Sequence, residues 1–180
     1  MSKFILIRHG KPDYSLIKNK NFKGHGCDLA PLSNEGIEQA KIVAHNELLK
    51  GADILISSPY TRCMHTSSII SNVINLPIIV DIDLHEWLPD LTFNYNTNNL
   101  VRYNYKQAIQ DYVNGLITSN NYESIMSVQI RVLNVLKKYL EYEKVIVVTH
   151  GGVMYSLTDN HYPYCGIDSI EYDGKVLVKK

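Results

Sequence analysis

The residues of this chain best suited to chemistry stand where short apolar runs end. Phe4–Ile7 runs into Arg8-His9-Gly10, and Ala52–Ile56 into Ser57-Ser58-Pro59, with Arg62 shortly after. The run from Leu76 to Leu84 leads to His85-Glu86-Trp87, and Val145–Val148 leads to Thr149-His150-Gly151-Gly152. Two guanidiniums offer planar forks of donors that match phosphate oxygens. A histidine can supply a nucleophilic nitrogen, and a carboxyl group can carry a proton to or from a reacting oxygen. His150-Gly151-Gly152 reads as a strand-to-helix junction, where unpaired N–H groups and the helix dipole attract an anion. The set suits a phosphoryl group better than an acyl group. Ser57 and Ser58 lack the G-x-S-x-G elbow of an exposed serine nucleophile.

The elements that must position these residues alternate in type. Phe4–His9, Ala52–Pro59, Leu76–Leu84 and Lys144–His150 read as strands, and Ile167–Val178 as a hairpin turning at Asp173-Gly174. Helices are expected from Ser33, as N-cap, to about Leu49; from about Tyr60 to Asn75; from about Leu100 to Leu116; from Ser124 to Tyr142; and from Gly151 onward. Lys11–Pro31 reads as a long irregular loop. Strands alternating with helices predict an α/β fold, a mostly parallel central sheet with helices on both faces in three α/β/α layers. Ligands bind such sheets beyond the carboxyl ends of the strands, which is where the residues above fall. We expect a single domain over residues 1–180.

Composition narrows the field. Lys+Arg and Asp+Glu number 18 each, so there is no global basic field for nucleic acid or an anionic membrane, and anion recognition must be local. Hydrophobic residues at 45% and charged residues at 20% fit an ordinary globular chain. No apolar run approaches the roughly 20 residues of a membrane helix, and no signal-peptide pattern opens the chain. Cys27, Cys63 and Cys165 are scattered and suggest neither a disulfide framework nor a zinc site. A cytoplasmic setting is expected, without a nucleic-acid or membrane partner. The sequence leaves oligomeric state open, a homodimer included.

The segments "LIRHGKP", "LSNEGIEQA", "SSPYTRCMHTSSII", "LHEW" and "VVTHGGVM" resemble, in order, the motifs of the histidine phosphatase (phosphoglycerate mutase-like) superfamily, spread over Leu6–Met154. The resemblance implies a phosphoglycerate mutase-like fold and a metal-independent phosphomonoesterase acting on a small phosphorylated metabolite. It implies that His9 attacks phosphorus and becomes a phosphohistidine. Arg8, Arg62, His150 and Gly151 would bind the phosphoryl group, and Glu86 would be the proton donor and acceptor. No metal and no cofactor are implied. Residues of about 87–122 correspond to the family's variable, substrate-selecting insertion.

Departures from the family pattern bear on the reaction. Lys11 and Pro12 follow R-H-G where the mutase branch commonly carries Glu first, which favours transfer to water over transfer between substrate positions. A mutase-type transfer and a phosphoprotein (phosphohistidine) phosphatase are the alternatives. Rivals outside this mechanism are a metallohydrolase and an inactive binding module. "LHEW" is not H-E-x-x-H, and none of the five expected catalytic positions is degraded. Lys11, Ser15 and Arg102 are candidate substrate contacts. Asp81, Asp83 and Asp90 compete with Glu86 as proton donor. Asp81 and Asp83 would share a strand face, with Glu86 just past its end. His25 and Asp28 read as turn residues of a solvated loop, and Gly36 and Gln39 as helix-packing residues.

Overall fold

The computed structural model describes residues 1–93, 95, 98–116 and 121–179. Six strands form one sheet in the order β3-β2-β4-β1-β5-β6. They are β1 (Ser2–Arg8), β2 (Ile54–Ser57), β3 (Ile78–Val80), β4 (Lys144–Thr149), β5 (Ile167–Tyr172) and β6 (Leu177–Lys179). The first four in spatial order run parallel, and β5 and β6 add an antiparallel edge. The helices are α1 (Ser15–Asn19), α2 (Asn34–Val43), α3 (Thr61–Ile74), α4 (Asn98–Val113), α5 (Ile125–Lys137) and α6 (Gly151–Thr158).

Alternation along the strands divides the core in two. Phe4, Leu6, Ile54, Ile56, Val145 and Val147 face one layer with Ala108 of α4, Val128, Val132 and Val135 of α5, and Met154 and Leu157 of α6. Ile5, Ile7, Leu55, Ile146 and Val148 face the other, with Val43 of α2 and Cys63 and Ile70 of α3. A strand covered on both faces needs apolar side chains at consecutive positions, and Phe4–Ile7 is fully buried throughout. The expected three-layer sandwich and the C-terminal hairpin are both present. Asp173 closes the hairpin by accepting hydrogen bonds from the N–H groups of Lys175 and Val176.

Element ends differ from the sequence reading for local reasons. The helix expected to reach Leu49 stops at Val43. The Asn46 side chain then accepts from the N–H of Leu48 and starts a separate 3-10 turn over Glu47–Leu49. The strand expected over Leu76–Leu84 is only Ile78–Val80. Asp81 ends it by capping a 3-10 turn, Ile82–Leu84, through the N–H of Asp83. The Lys11–Pro31 loop holds α1 and a 3-10 stretch over Gly24–Leu29. The insertion expected over 87–122 includes 94, 96, 97 and 117–120, which lie outside the described residues.

Candidate functional site

Strand register sets the frame. Arg8 pairs with Thr149, and Val148 pairs with Ser57, so β1, β4 and β2 end side by side. His9 follows β1 and is held by its own N–H on the Thr149 carbonyl at 2.9 Å. His150 follows β4 at the N-terminus of α6. Arg62 lies in the first turn of α3, behind β2. His9, Arg62 and His150 are all buried.

The His9 ring is fixed at both nitrogens. Nδ1 lies 2.8 Å from the Gly10 carbonyl oxygen, which can only accept, so Nδ1 carries the proton. Nε2 then has the lone pair, and it accepts from Nε of Arg62 at 3.2 Å. Burial, followed by the charge of Arg62, pushes the His9 pKa well below its ordinary value, with Arg8 adding a smaller effect. His9 is therefore a neutral imidazole with Nε2 directed at a cation. His150 meets it edge-on, with ring centroids 5.2 Å apart, and its own Nε2 is 2.7 Å from Oγ of Ser58. Burial and then Arg62 also hold the His150 pKa well below the ordinary value.

The two guanidiniums are held differently. Nη1 of Arg62 donates to Asp28 at 2.9 Å, and its plane lies over the Tyr60 ring. Asp28 is only 15% exposed in its side chain, so it is a partner of the site rather than a solvated turn residue. The spacing of the loop gave no sign of this, because 3-10 turns bring residues together at distances the sequence does not fix. Arg8 donates through Nη1 to the Tyr162 carbonyl and stacks over Tyr164 at 4.4 Å. Its Nε is buried with no hydrogen-bond partner among the described residues. A buried unpaired donor on a cation is costly unless an acceptor can reach it.

Glu86 completes the cluster from the segment after the 3-10 turn. Its Oε1 accepts from the N–H groups of Trp87 at 2.9 Å and Gly152 at 3.1 Å. A Cβ at position 152 would stand 2.6 Å from that oxygen, so the second glycine of the His-Gly-Gly sequence admits the carboxyl group. Burial raises the Glu86 pKa above the ordinary value, against opposing effects from Arg62, the two N–H donors and Arg8. Asp81 and Asp90 have other side-chain partners, and Asp83 is tied through its main chain. Asp81 pairs with Lys138, the carbonyl of Asp83 takes a hydrogen bond from Arg131, and Asp90 accepts from Thr92.

Arg131 also anchors the Glu86 segment. It forms an ion pair with Glu123 at 2.7 Å and reaches the Glu86 carbonyl, while Glu123 accepts from the N–H of Leu88. Gly10 and Gly36 approach so closely that a Cβ on Gly10 would sit 2.5 Å from the Gly36 carbonyl. Gln39 accepts from the N–H of Lys11, so α2 packs on and braces the segment after His9. Packing was the role expected of Gly36 and Gln39.

These pieces form two arginines, two histidines whose burial favours the neutral ring, a carboxyl group whose burial favours its protonated form, and a helix N-terminus at one sheet edge. The sequence matches the histidine phosphatase superfamily (branch 1) across residues 4–165. The chain belongs to that superfamily. The resemblance read from its motifs is thereby borne out, and with it the expectation of a phosphatase. A Hydrogenobacter thermophilus protein provisionally named phosphoserine phosphatase 2 is 28% identical over 167 residues, covering 87% of this chain and 77% of that protein. The adenosylcobalamin/alpha-ribazole phosphatase of Escherichia coli is 26% identical over 155 residues, covering 83% and 73%. Among solved structures, a mycobacterial glucosyl-3-phosphoglycerate phosphatase superposes with a TM-score of 0.72 at 18% identity, covering 94% of this chain and 89% of its own. Likeness at that identity establishes the phosphoglycerate mutase-like fold.

Within this histidine phosphatase, a cavity of about 290 Å3 opens beside Glu86. Arg8, Gly151 and Gly152 border it at the sheet edge, and Trp87, Arg102, Tyr105, His161 and Tyr162 are also in its lining. Arg102 is thus placed on the same cavity as Arg8. Lys11 is exposed and paired with Glu35 at 2.5 Å, outside that lining, and Ser15 is exposed at the start of α1. His161, Tyr162 and Tyr164 were not singled out in the sequence. They lie in the connection between α6 and β5, where no motif or periodicity marks them.

Proposed function

We propose that this protein is a metal-independent phosphomonoesterase that passes the phosphoryl group of a small phosphorylated metabolite through His9 to water. The observation that carries the reading is the His9 ring: neutral, with Nδ1–H on Gly10 and the Nε2 lone pair facing Arg62. Nε2 attacks phosphorus in line, an N–P bond forms, and the bond from phosphorus to the leaving oxygen breaks. Arg8, Arg62, His150 and the N–H of Gly151 hold the phosphoryl oxygens and stabilise their charge in the transition state. Glu86, whose protonated form burial favours, donates a proton to the leaving oxygen. Water then attacks the phosphohistidine, Glu86 takes a proton from it, and inorganic phosphate leaves with His9 restored. The positive charge comes from side chains, so activity is expected to survive EDTA.

Several features support a phosphatase over a mutase. Lys11 pairs with Glu35 at the surface rather than lining the cavity. The relatives above are named as phosphatases. The segment around 87–122 would select the leaving group. We propose a cytoplasmic enzyme; among the described residues no helix is long and apolar enough to cross a membrane.

Incubation with a labelled phosphoryl donor should leave acid-labile, alkali-stable label on the wild type and none on His9→Ala. Label persisting on His9→Ala would overturn the nucleophile. Release of free phosphate separates the hydrolase from a mutase, which would return the label on an isomer of its substrate.

A further inference from the structure

The arginines of the chain are Arg8, Arg62, Arg102 and Arg131. Three have structural partners. Arg62 pairs with Asp28, Arg131 with Glu123, and Arg8 donates to the Tyr162 carbonyl. Arg102 has no ion pair among the described residues, yet it borders the cavity beside Glu86. Glu86 is the only carboxyl group in that lining, and burial favours its protonated form. The wall between Arg8 and Arg102 is largely aromatic: Trp87 and Tyr105 meet edge to face with centroids 5.2 Å apart. A leaving group beyond the Glu86 carboxyl therefore meets an apolar wall, and an unneutralised guanidinium shares the cavity with it. A guanidinium beside an apolar surface binds carboxylate or phosphate in a fork and disfavours a cation.

We propose that the substrate carries a second anionic group on its leaving portion, a carboxylate or a second phosphate, and that Arg102 binds it. The inference rests on the phosphatase reading above and narrows its substrate class. Arg102 is here a specificity-determining residue, acting on the part of the substrate that departs rather than on the phosphoryl group.

Matched esters test it. With the full-length protein, kcat/KM for 3-phosphoglycerate should exceed that for glycerol 3-phosphate by about tenfold or more, the scale of one charge-assisted hydrogen bond. Arg102→Ala should collapse that ratio towards one, and Arg102→Lys should restore part of it. A bisphosphate tested against its monophosphate, such as fructose 1,6-bisphosphate against fructose 6-phosphate, distinguishes a phosphate from a carboxylate as the second anion. Hydrolysis of p-nitrophenyl phosphate without preference in either matched pair would overturn this inference and leave the phosphatase reading standing. A preference unchanged in Arg102→Ala would likewise overturn the role of Arg102. No hydrolysis of any ester, p-nitrophenyl phosphate included, would overturn both.

Discussion

The two sides of the cavity beside Glu86 are built by different means. At the sheet edge, Arg8 and Gly151 border the cavity and His9 and His150 stand next to them in the chain, all at or just after the ends of β1 and β4, whose ladder pairs residue with residue from Lys3–Lys144 to Arg8–Thr149. Their relative positions follow from backbone hydrogen bonds and a core buried on both faces. Elsewhere in the lining, Arg102 and Tyr105 come from α4, and His161 and Tyr162 from the connection after α6. These are brought together by side-chain packing, such as Trp87 on Tyr105 and His161 stacked on Tyr155 at 4.8 Å. Arg102 and His161 are exposed, whereas His9 and His150 are buried. The difference suggests a division of labour. In the proposed reaction the sheet edge handles the phosphoryl group common to any phosphate ester, and the helical wall could change without disturbing it.

Substitutions on the two sides should therefore fail in different ways. Arg62→Ala removes a cation from the phosphoryl group itself, and kcat should fall by about 10^3-fold for every ester alike, the scale of a lost transition-state donor. A fall confined to some esters would place Arg62 with the wall instead.

Glu86→Gln, at the boundary between the two sides, should cost about 10^2-fold on alkyl phosphates, and far less on p-nitrophenyl phosphate, whose leaving oxygen hardly needs a proton. Its pH profile is also informative. The proposed reaction needs neutral His9, with a lowered pKa, and protonated Glu86, with a raised one. The wild-type kcat/KM should therefore peak on the acid side of neutrality and fall as Glu86 loses its proton. Glu86→Gln should lose that alkaline fall. A fall retained at the same pH would assign the proton to another group.

Arg131→Met tests how the boundary is held, because it leaves the largely enclosed Glu123 without its cation. Stability should drop by about 3 kcal/mol, as for a broken buried pair. Beyond that loss, kcat for alkyl phosphates should fall more than kcat for p-nitrophenyl phosphate, since the Glu86 segment loses its anchor. Equal losses on both esters would make Arg131 merely structural.

The smallest expected effect is on stability against pH. The unfolded chain protonates its histidines near pH 6.5, while folded His9 and His150 resist protonation to lower pH. The unfolded state then binds more protons, so this contribution is present above about pH 6.5 and is lost as the pH falls below it. Melting temperature should drop between pH 7.5 and 5.5, and less so in His9→Gln. An equal drop in both proteins would contradict the burial of a neutral His9.

The alternation of strands and helices, the burial of Phe4–Ile7 and Val145–Val148, and the chemistry-bearing residues at the strand ends were all legible in the sequence. They are local: apolar runs, a cap at Ser33, and a histidine or arginine in the next position. Boundaries were less legible wherever a polar side chain competed with the backbone, as Asn46 and Asp81 do. The surroundings that set Glu86 apart from its neighbouring carboxylates as the proposed proton donor needed the tertiary structure. Only the packing of α5 and α6 shows that Asp81 goes to Lys138 while Glu86 goes to the Gly152 N–H.

The sequence by itself determined the family and where the candidate site residues stand, because those depend on residue type and on strands ending where apolar runs end. The tertiary structure alone decided the tautomer of His9, the pairing of Asp28 with Arg62, and the joining of Arg102, His161 and Tyr162 on one wall. Each of these depends on contacts between segments distant in the chain, whose separation no local pattern encodes.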